Sequence, residues 1–196
     1  MSEIISAVNR RTTTKMLTES AILVALATVL SLYVVFRAPY GGSVTIGSML
    51  PIIFISIKYP FGWAILTALA YSILQIITGG LYTPPTDTIF HFGLMVFLDY
   101  VAAFGVLCLA GPIFKSLNKN WPEKARLMVA ALTCISLRFA CHYLSGIIIW
   151  GYFAPAGQPA WLYSLLYNGA YMGLEFVISG TILFFAGQRI LSLFMK

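Results

Sequence analysis

Residues 127–150 read Leu-Met-Val-Ala-Ala-Leu-Thr-Cys-Ile-Ser-Leu-Arg-Phe-Ala-Cys-His-Tyr-Leu-Ser-Gly-Ile-Ile-Ile-Trp. A run of this length with one basic and no acidic residue suits a membrane-spanning helix, which takes about 20 apolar residues. Within it Arg138, His142, Gly146 and Trp150 recur at every fourth position. At 3.6 residues per turn they share roughly one face. Such a stripe is not lipid-facing: it packs against polar groups of other helices or lines a cavity. Gly146 admits a ligand or a backbone at close range. Because ionisable side chains inside a bilayer are costly, each is a functional candidate.

The rest of the chain agrees with this reading. Of its 196 residues, 60% are hydrophobic and 9% charged, against roughly 25% charged in a soluble domain. Mean hydropathy is +0.89. These values exclude a soluble enzyme, a disordered chain and a nucleic-acid-binding domain, and predict an all-α integral membrane protein. The net charge of +6 reads as basic residues retained on one side of the bilayer. No phosphate-binding G-x-x-x-x-G-K-[ST] loop occurs, so energy for any transport comes from an ion gradient or another subunit. Cys108, Cys134 and Cys141 lie in apolar runs without a C-x-x-C and read as small packing residues.

Six spans are expected, at Leu17–Phe36, Val44–Ile57, Trp63–Thr78, Ile89–Phe114, Leu127–Trp150 and Trp161–Leu183. Together they form a single membrane domain over residues 1–196. The first follows basic residues as a signal peptide would, but it is long and no small-residue cleavage site follows, so it reads as a helix. The second is short, starts at Gly41-Gly42-Ser43 and contains Pro51, which predicts a tilt, a kink or a preceding loop that folds back into the protein. With an even span count Arg10, Arg11, Lys15, Lys58, Lys115, Lys119, Lys124, Arg126, Arg189 and Lys196 all fall on one side, and only Arg37 on the other. The positive-inside rule then places both termini in the cytoplasm. The opposite loops are rich in turn formers and aromatics, around Tyr82 and from Trp150 to Trp161. They suit an interfacial belt or an aromatic pocket opening outward.

Three intramembrane charges stand out: Asp99, Arg138 and Glu175. Asp99 needs a partner, which could be Arg138, a coupling proton or a bound cation. Glu175 pairs with Arg138 or faces a partner protein. Asp99, Tyr100, His142, Trp150, Tyr163 and Asn168 together offer one carboxylate, several aromatic faces and an amide. That set suits a flat cationic heteroaromatic, held by charge, stacking and edge hydrogen bonds. Small-xxx-small pairs at Ala21/Ala25 and Gly169/Gly173 predict close helix packing, internal or with a partner.

At these residues the chain resembles the ThiT (YuaJ) family of thiamine-binding membrane proteins, the substrate-capture components of energy-coupling-factor vitamin transporters. The similar segments are Ala21–Ala27, Gly41–Ile46 with Pro51-Ile52, Leu98–Phe104, and the stretch from Arg138 through His142, Ser145-Gly146, Trp150 and Phe153-Ala154-Pro155 to Trp161, Tyr163 and Tyr167-Asn168. The resemblance implies a six-helix fold with the vitamin near the outer face. Asp99 would meet the cation, Tyr100 and His142 would flank the thiazolium, and Trp150 would stack on the pyrimidine. Tyr163, Asn168, Gly146, Arg138 and the loop residue Tyr82 would complete the pocket. Ala21 and Ala25 would dock on a transmembrane coupling subunit that carries two ATPase subunits. The chain would then be no enzyme, need no cofactor of its own, and reside in the cell membrane. It departs from the family in having Asp99 where some members have Glu, in a longer 79–91 loop with Asp87 and His91, and in Glu175. The alternative from another class is a small ion-coupled carrier for a cationic heteroaromatic solute, with Asp99, His142 and Glu175 as a proton relay. An intramembrane enzyme is disfavoured because H-E-x-x-H and a nucleophile beside a base are both missing.

Overall fold

The computed structural model describes residues 2–39, 41–84 and 88–195, with side chains from Thr12 onward. The side chains of Arg10 and Arg11, and residues Pro85, Asp87 and Lys196, lie outside the described residues. The chain forms helices α1 (Ser2–Leu32), α2 (Leu50–Lys58), α3 (Phe61–Gly79), α4 (Ile89–Ser116), α5 (Glu123–Ile148) and α6 (Ala160–Phe194). A two-stranded antiparallel hairpin, β1 (Val34–Arg37) and β2 (Ser43–Thr45), separates α1 from α2. Prolines begin several helices: Pro51 lies in the first turn of α2, and Pro60, Pro122 and Pro159 immediately precede α3, α5 and α6. Proline fits there because its missing N–H would have no intrahelical partner.

Among the described residues, five helices are long and apolar enough to cross a membrane: α1, α3, α4, α5 and α6. The expected second span differs from its reading. Its first residues are strand β2, and only Leu50–Lys58 is helical. Nine residues rise only about 14 Å, half the hydrocarbon thickness. Pro51 starts the helix and produces no mid-span kink. The chain nevertheless gets across. Lys58 Nζ lies 2.7 Å from Glu19 Oε2 and 2.5 Å from the Phe194 carbonyl, while Tyr59 Oη bonds the same Glu19 carboxylate. Glu19 lies twelve residues before Ser31, about 18 Å along α1, and Ser31 belongs to the opposite end. The extended segment and the short helix together complete the crossing.

Such a short helix survives because it is central. Every residue from Leu50 to Ile57 is buried, which is the pattern of a helix enclosed on all sides. It interlocks with α4 through Ser56, whose hydroxyl donates to the Cys108 carbonyl at 2.6 Å and accepts the Gly111 N–H at 2.8 Å. A Cβ on Gly111 would lie 2.0 Å from the Ser56 carbonyl oxygen. Cys108 and Cys134 pack as buried residues with free thiols.

The small-residue pairs do not serve internal packing. Ala21 and Ala25 are exposed on α1, and Cβ atoms on Gly169 and Gly173 would meet nothing within 4 Å.

Candidate ligand-binding site

Antiparallel neighbours place the C-terminal halves of α1, α3 and α5 beside the N-terminal halves of α4 and α6. A cavity of about 200 Å³ opens among them, closed on one side by the hairpin turn Gly41-Gly42-Ser43. Tyr82, Asp99, Tyr100, Arg138, His142, Gly146, Trp150, Tyr163 and Asn168 all line it. The stripe on α5 therefore faces a cavity. His91, in the first turn of α4, does not line it.

Asp99 and Tyr100 sit in a π-helical stretch of α4, Val96–Ala102. The wider turn brings the directions of consecutive side chains closer together, and such stretches favour functional sites. Both residues accordingly reach the cavity.

Asp99 binds α5, but not through Arg138. Its Oδ1 lies 3.0 Å from His142 Nδ1. Its Oδ2 accepts the Ser145 hydroxyl at 2.7 Å and the Trp150 indole N–H at 3.0 Å. Among the described residues Arg138 makes no ion pair with Asp99 or Glu175. Its guanidinium instead sits 4.3 Å above the Phe104 ring, a cation–π contact. This corrects the expected Asp99–Arg138 pairing, one of three considered. His142 and Trp150 follow one another on α5 and the turn after it at helical spacing, and reach Asp99 together with Ser145.

Glu175 also departs from both of its expected partners. It is 1% exposed. Its Oε1 accepts the Thr45 backbone N–H at 2.6 Å and the Thr45 hydroxyl at 2.7 Å, so it ties β2 to α6. His142 Nε2 and Glu175 Oε2 are both buried without a hydrogen-bond partner. No continuous hydrogen-bonded chain links Asp99, His142 and Glu175 among the described residues.

Gly146 and Asn168 build the seam between α5 and α6. A Cβ on Gly146 would lie 2.1 Å from Ser164 Oγ and 2.8 Å from Asn168 Nδ2. The close approach it permits is thus to α6. Asn168 Nδ2 donates to the His142 carbonyl at 3.2 Å, and its Oδ1 accepts the Tyr171 hydroxyl at 2.8 Å. Both sides of the amide are therefore engaged within the protein. Aromatic rings dominate the remaining wall. Tyr163 stacks on Tyr167 with centroids 5.6 Å apart. The Tyr100 hydroxyl donates to the Gly80 carbonyl at 2.9 Å, and the Tyr82 ring backs Gly41.

The cavity thus combines an aromatic wall with one carboxylate among its described lining residues. The family model described as "Thiamine transporter protein (Thia_YuaJ)" matches residues 17–195. The chain belongs to this thiamine transporter family. It is 33% identical over 175 residues to thiamine transporter ThiT of Bacillus subtilis (strain 168), covering 85% of this chain and 87% of that one. It is 32% identical over 115 residues to a thiamine transporter ThiT of Lacticaseibacillus paracasei, covering 56% and 51% respectively. The fold is similar to a solved structure of ThiT from Listeria monocytogenes, with a TM-score of 0.68 and 24% identity over 93% of this chain and 98% of that one. Its helices and this family membership make it a multi-pass membrane protein.

Within this Thia_YuaJ chain several residues of the site carry little signal in the sequence. Ser145 reads in sequence only as a neighbour of Gly146, yet from behind the cavity lining it holds Asp99. Gln75 lines the cavity and donates to the Ser31 hydroxyl at 2.9 Å. An amide in an otherwise apolar span was the available signal. Phe104 and Met95 carried none, since apolar residues on α4 look the same whether they face lipid or ligand.

Proposed function

We propose that this chain binds thiamine in the cavity and delivers it to the cytoplasm as the substrate-capture component of an energy-coupling-factor importer. The observation that carries the reading is the Asp99 carboxylate, gathered under His142, Ser145 and Trp150 in an aromatic cavity. A carboxylate with its lone pairs fixed by three donors is preorganised, so a bound cation need not pay to orient it. The low-dielectric surroundings strengthen its attraction for the thiazolium. The Asp99 contact turns the His142 ring so that Nε2 is left without a protein partner. Trp150 is held by its indole N–H and stacks on Phe153 with centroids 6.2 Å apart, which leaves its other face for the pyrimidine. Tyr100, Tyr163 and Tyr82 enclose the ligand, and Arg138, Gly146 and Asn168 shape the floor and the α5–α6 seam.

Energy comes from partner subunits in this reading: a transmembrane coupling subunit and two ATPases, with ATP used only there. The exposure of Ala21 and Ala25 on α1 supports a docking face for the coupling subunit, because close helix approach needs small side chains at the contact. The basic residues put both termini in the cytoplasm and the cavity at the outer face.

Intrinsic fluorescence of the purified full chain, titrated with thiamine, tests the reading. Stacking on Trp150 is expected to quench emission at or below micromolar ligand. An unchanged spectrum with no ligand bound by equilibrium dialysis would overturn it.

A further inference from the structure

The hairpin is part of the cavity wall, and α6 holds it at two points. The Tyr167 hydroxyl donates to the Gly41 carbonyl at 2.7 Å. Deeper in the bundle, Glu175 Oε1 takes both the N–H and the hydroxyl of Thr45. Gly41, Gly42 and Ser43 line the cavity, whereas Thr45 and Glu175 do not. The turn between these points has little freedom elsewhere. Gly41 and Gly42 adopt φ +95° and +78°, and a Cβ on Gly42 would sit 2.7 Å from the Tyr171 ring. Thr45 is further braced by Ser48, whose hydroxyl lies 2.7 Å from its own.

A buried carboxylate is a costly way to hold a strand. Glu175 is almost fully enclosed, and no basic side chain pairs with it among the described residues. Two donors on one oxygen, 130 residues away in sequence, are the only hydrogen bonds it makes there. Leaving the two Thr45 donors unpaired in this interior would be expensive. The segment they fix lies two residues from the cavity wall.

We propose that Glu175 is a positioning residue for ligand capture: it anchors β2, and through it the Gly41–Ser43 wall, so that bound ligand is retained. This rests on the cavity being the thiamine site. Without the anchor only the Tyr167 hydroxyl, among the described residues, ties the wall to α6, so the wall shifts more readily from the Tyr171 face, and ligand escapes faster while entry is little changed. Glu175 acts through the hairpin and makes no contact with ligand.

The test uses the purified full chain in lipid nanodiscs, with thiamine association and dissociation rates measured by stopped-flow fluorescence and Tm measured in parallel. Glu175→Leu is expected to raise the dissociation rate roughly tenfold or more, as two buried donors left without their acceptor imply. Thr45→Val keeps the backbone donor but loses the hydroxyl, and should give a smaller rise. Glu175→Gln keeps an acceptor oxygen for Thr45 and should stay within about threefold of the parent. If Glu175→Leu does not fold, Thr45→Val against the parent carries the comparison. A lowered Tm with an unchanged dissociation rate in the folded variants would assign Glu175 to stability alone and overturn the inference. Loss of binding in Glu175→Gln equal to that in Glu175→Leu would also overturn it, since charge and not the anchoring oxygen would then matter. Failure of the parent chain to bind thiamine is a separate outcome: it overturns the thiamine reading, and this inference with it.

Discussion

Trp150 and Ser145 meet on one oxygen of Asp99: the indole N–H at 3.0 Å and the hydroxyl at 2.7 Å both point at Oδ2. The other oxygen faces His142. Three donors from α5 and the turn after it thus converge on one carboxylate of α4, so a change at Asp99 disturbs the geometry and the charge of the cavity together.

Asp99→Asn should lower thiamine affinity about 100-fold or more, the scale of a lost charged interaction in a partly desolvated site. An amide has one acceptor oxygen where the carboxylate has two, so Trp150 or His142 also loses its partner. A neutral pyrimidine fragment should bind worse than thiamine to the parent, but by a much smaller ratio to the variant. Isothermal titration checks both, and near-parental affinity in Asp99→Asn would refute the charge-pairing role.

Four tryptophans complicate the fluorescence signal, but of these only Trp150 lines the cavity among the described residues. In Trp150→Phe the ligand-induced quench should vanish while Trp63, Trp121 and Trp161 still emit. Affinity measured without fluorescence should fall by about tenfold, in line with the loss of a large stacking face and its N–H. A quench that persists would move the reporter elsewhere.

Gly111→Ala tests the fold away from the cavity. Its methyl group would meet a backbone carbonyl at 2.0 Å, which cannot rotate aside. The substitution should cost about 1–3 kcal/mol, typical of overpacking, by prising α4 from α2. Thermal unfolding in detergent should show a clear drop in Tm, and an unchanged Tm would mean that the two helices tolerate separation.

On α1, Ala25→Leu adds bulk to an exposed face that touches neither the core nor the cavity. Thiamine binding and Tm should be unchanged, while ATP-driven uptake in proteoliposomes with the coupling and ATPase subunits should fall severalfold or more. Full uptake would remove Ala21 and Ala25 from the docking face.

By itself the sequence determined the solvent, the helical class and the face of α5 that matters. Those follow from local quantities: apolar length, charge scarcity, and the four-residue spacing of Arg138, His142, Gly146 and Trp150. All the residues singled out for the ligand, from Tyr82 to Asn168, line one cavity, because antiparallel helices bring matching halves together. Periodicity names a face but not the neighbour it meets. Only the tertiary structure paired Asp99 with His142, Ser145 and Trp150 and left Arg138 over Phe104. Only it turned Gly146 toward α6 and tied Glu175 to Thr45. The same limit hid the hairpin: a short apolar run before Pro51 reads alike as strand or helix, and the choice was made by burial of Leu50–Ile57 on every side and by a carboxylate 130 residues away.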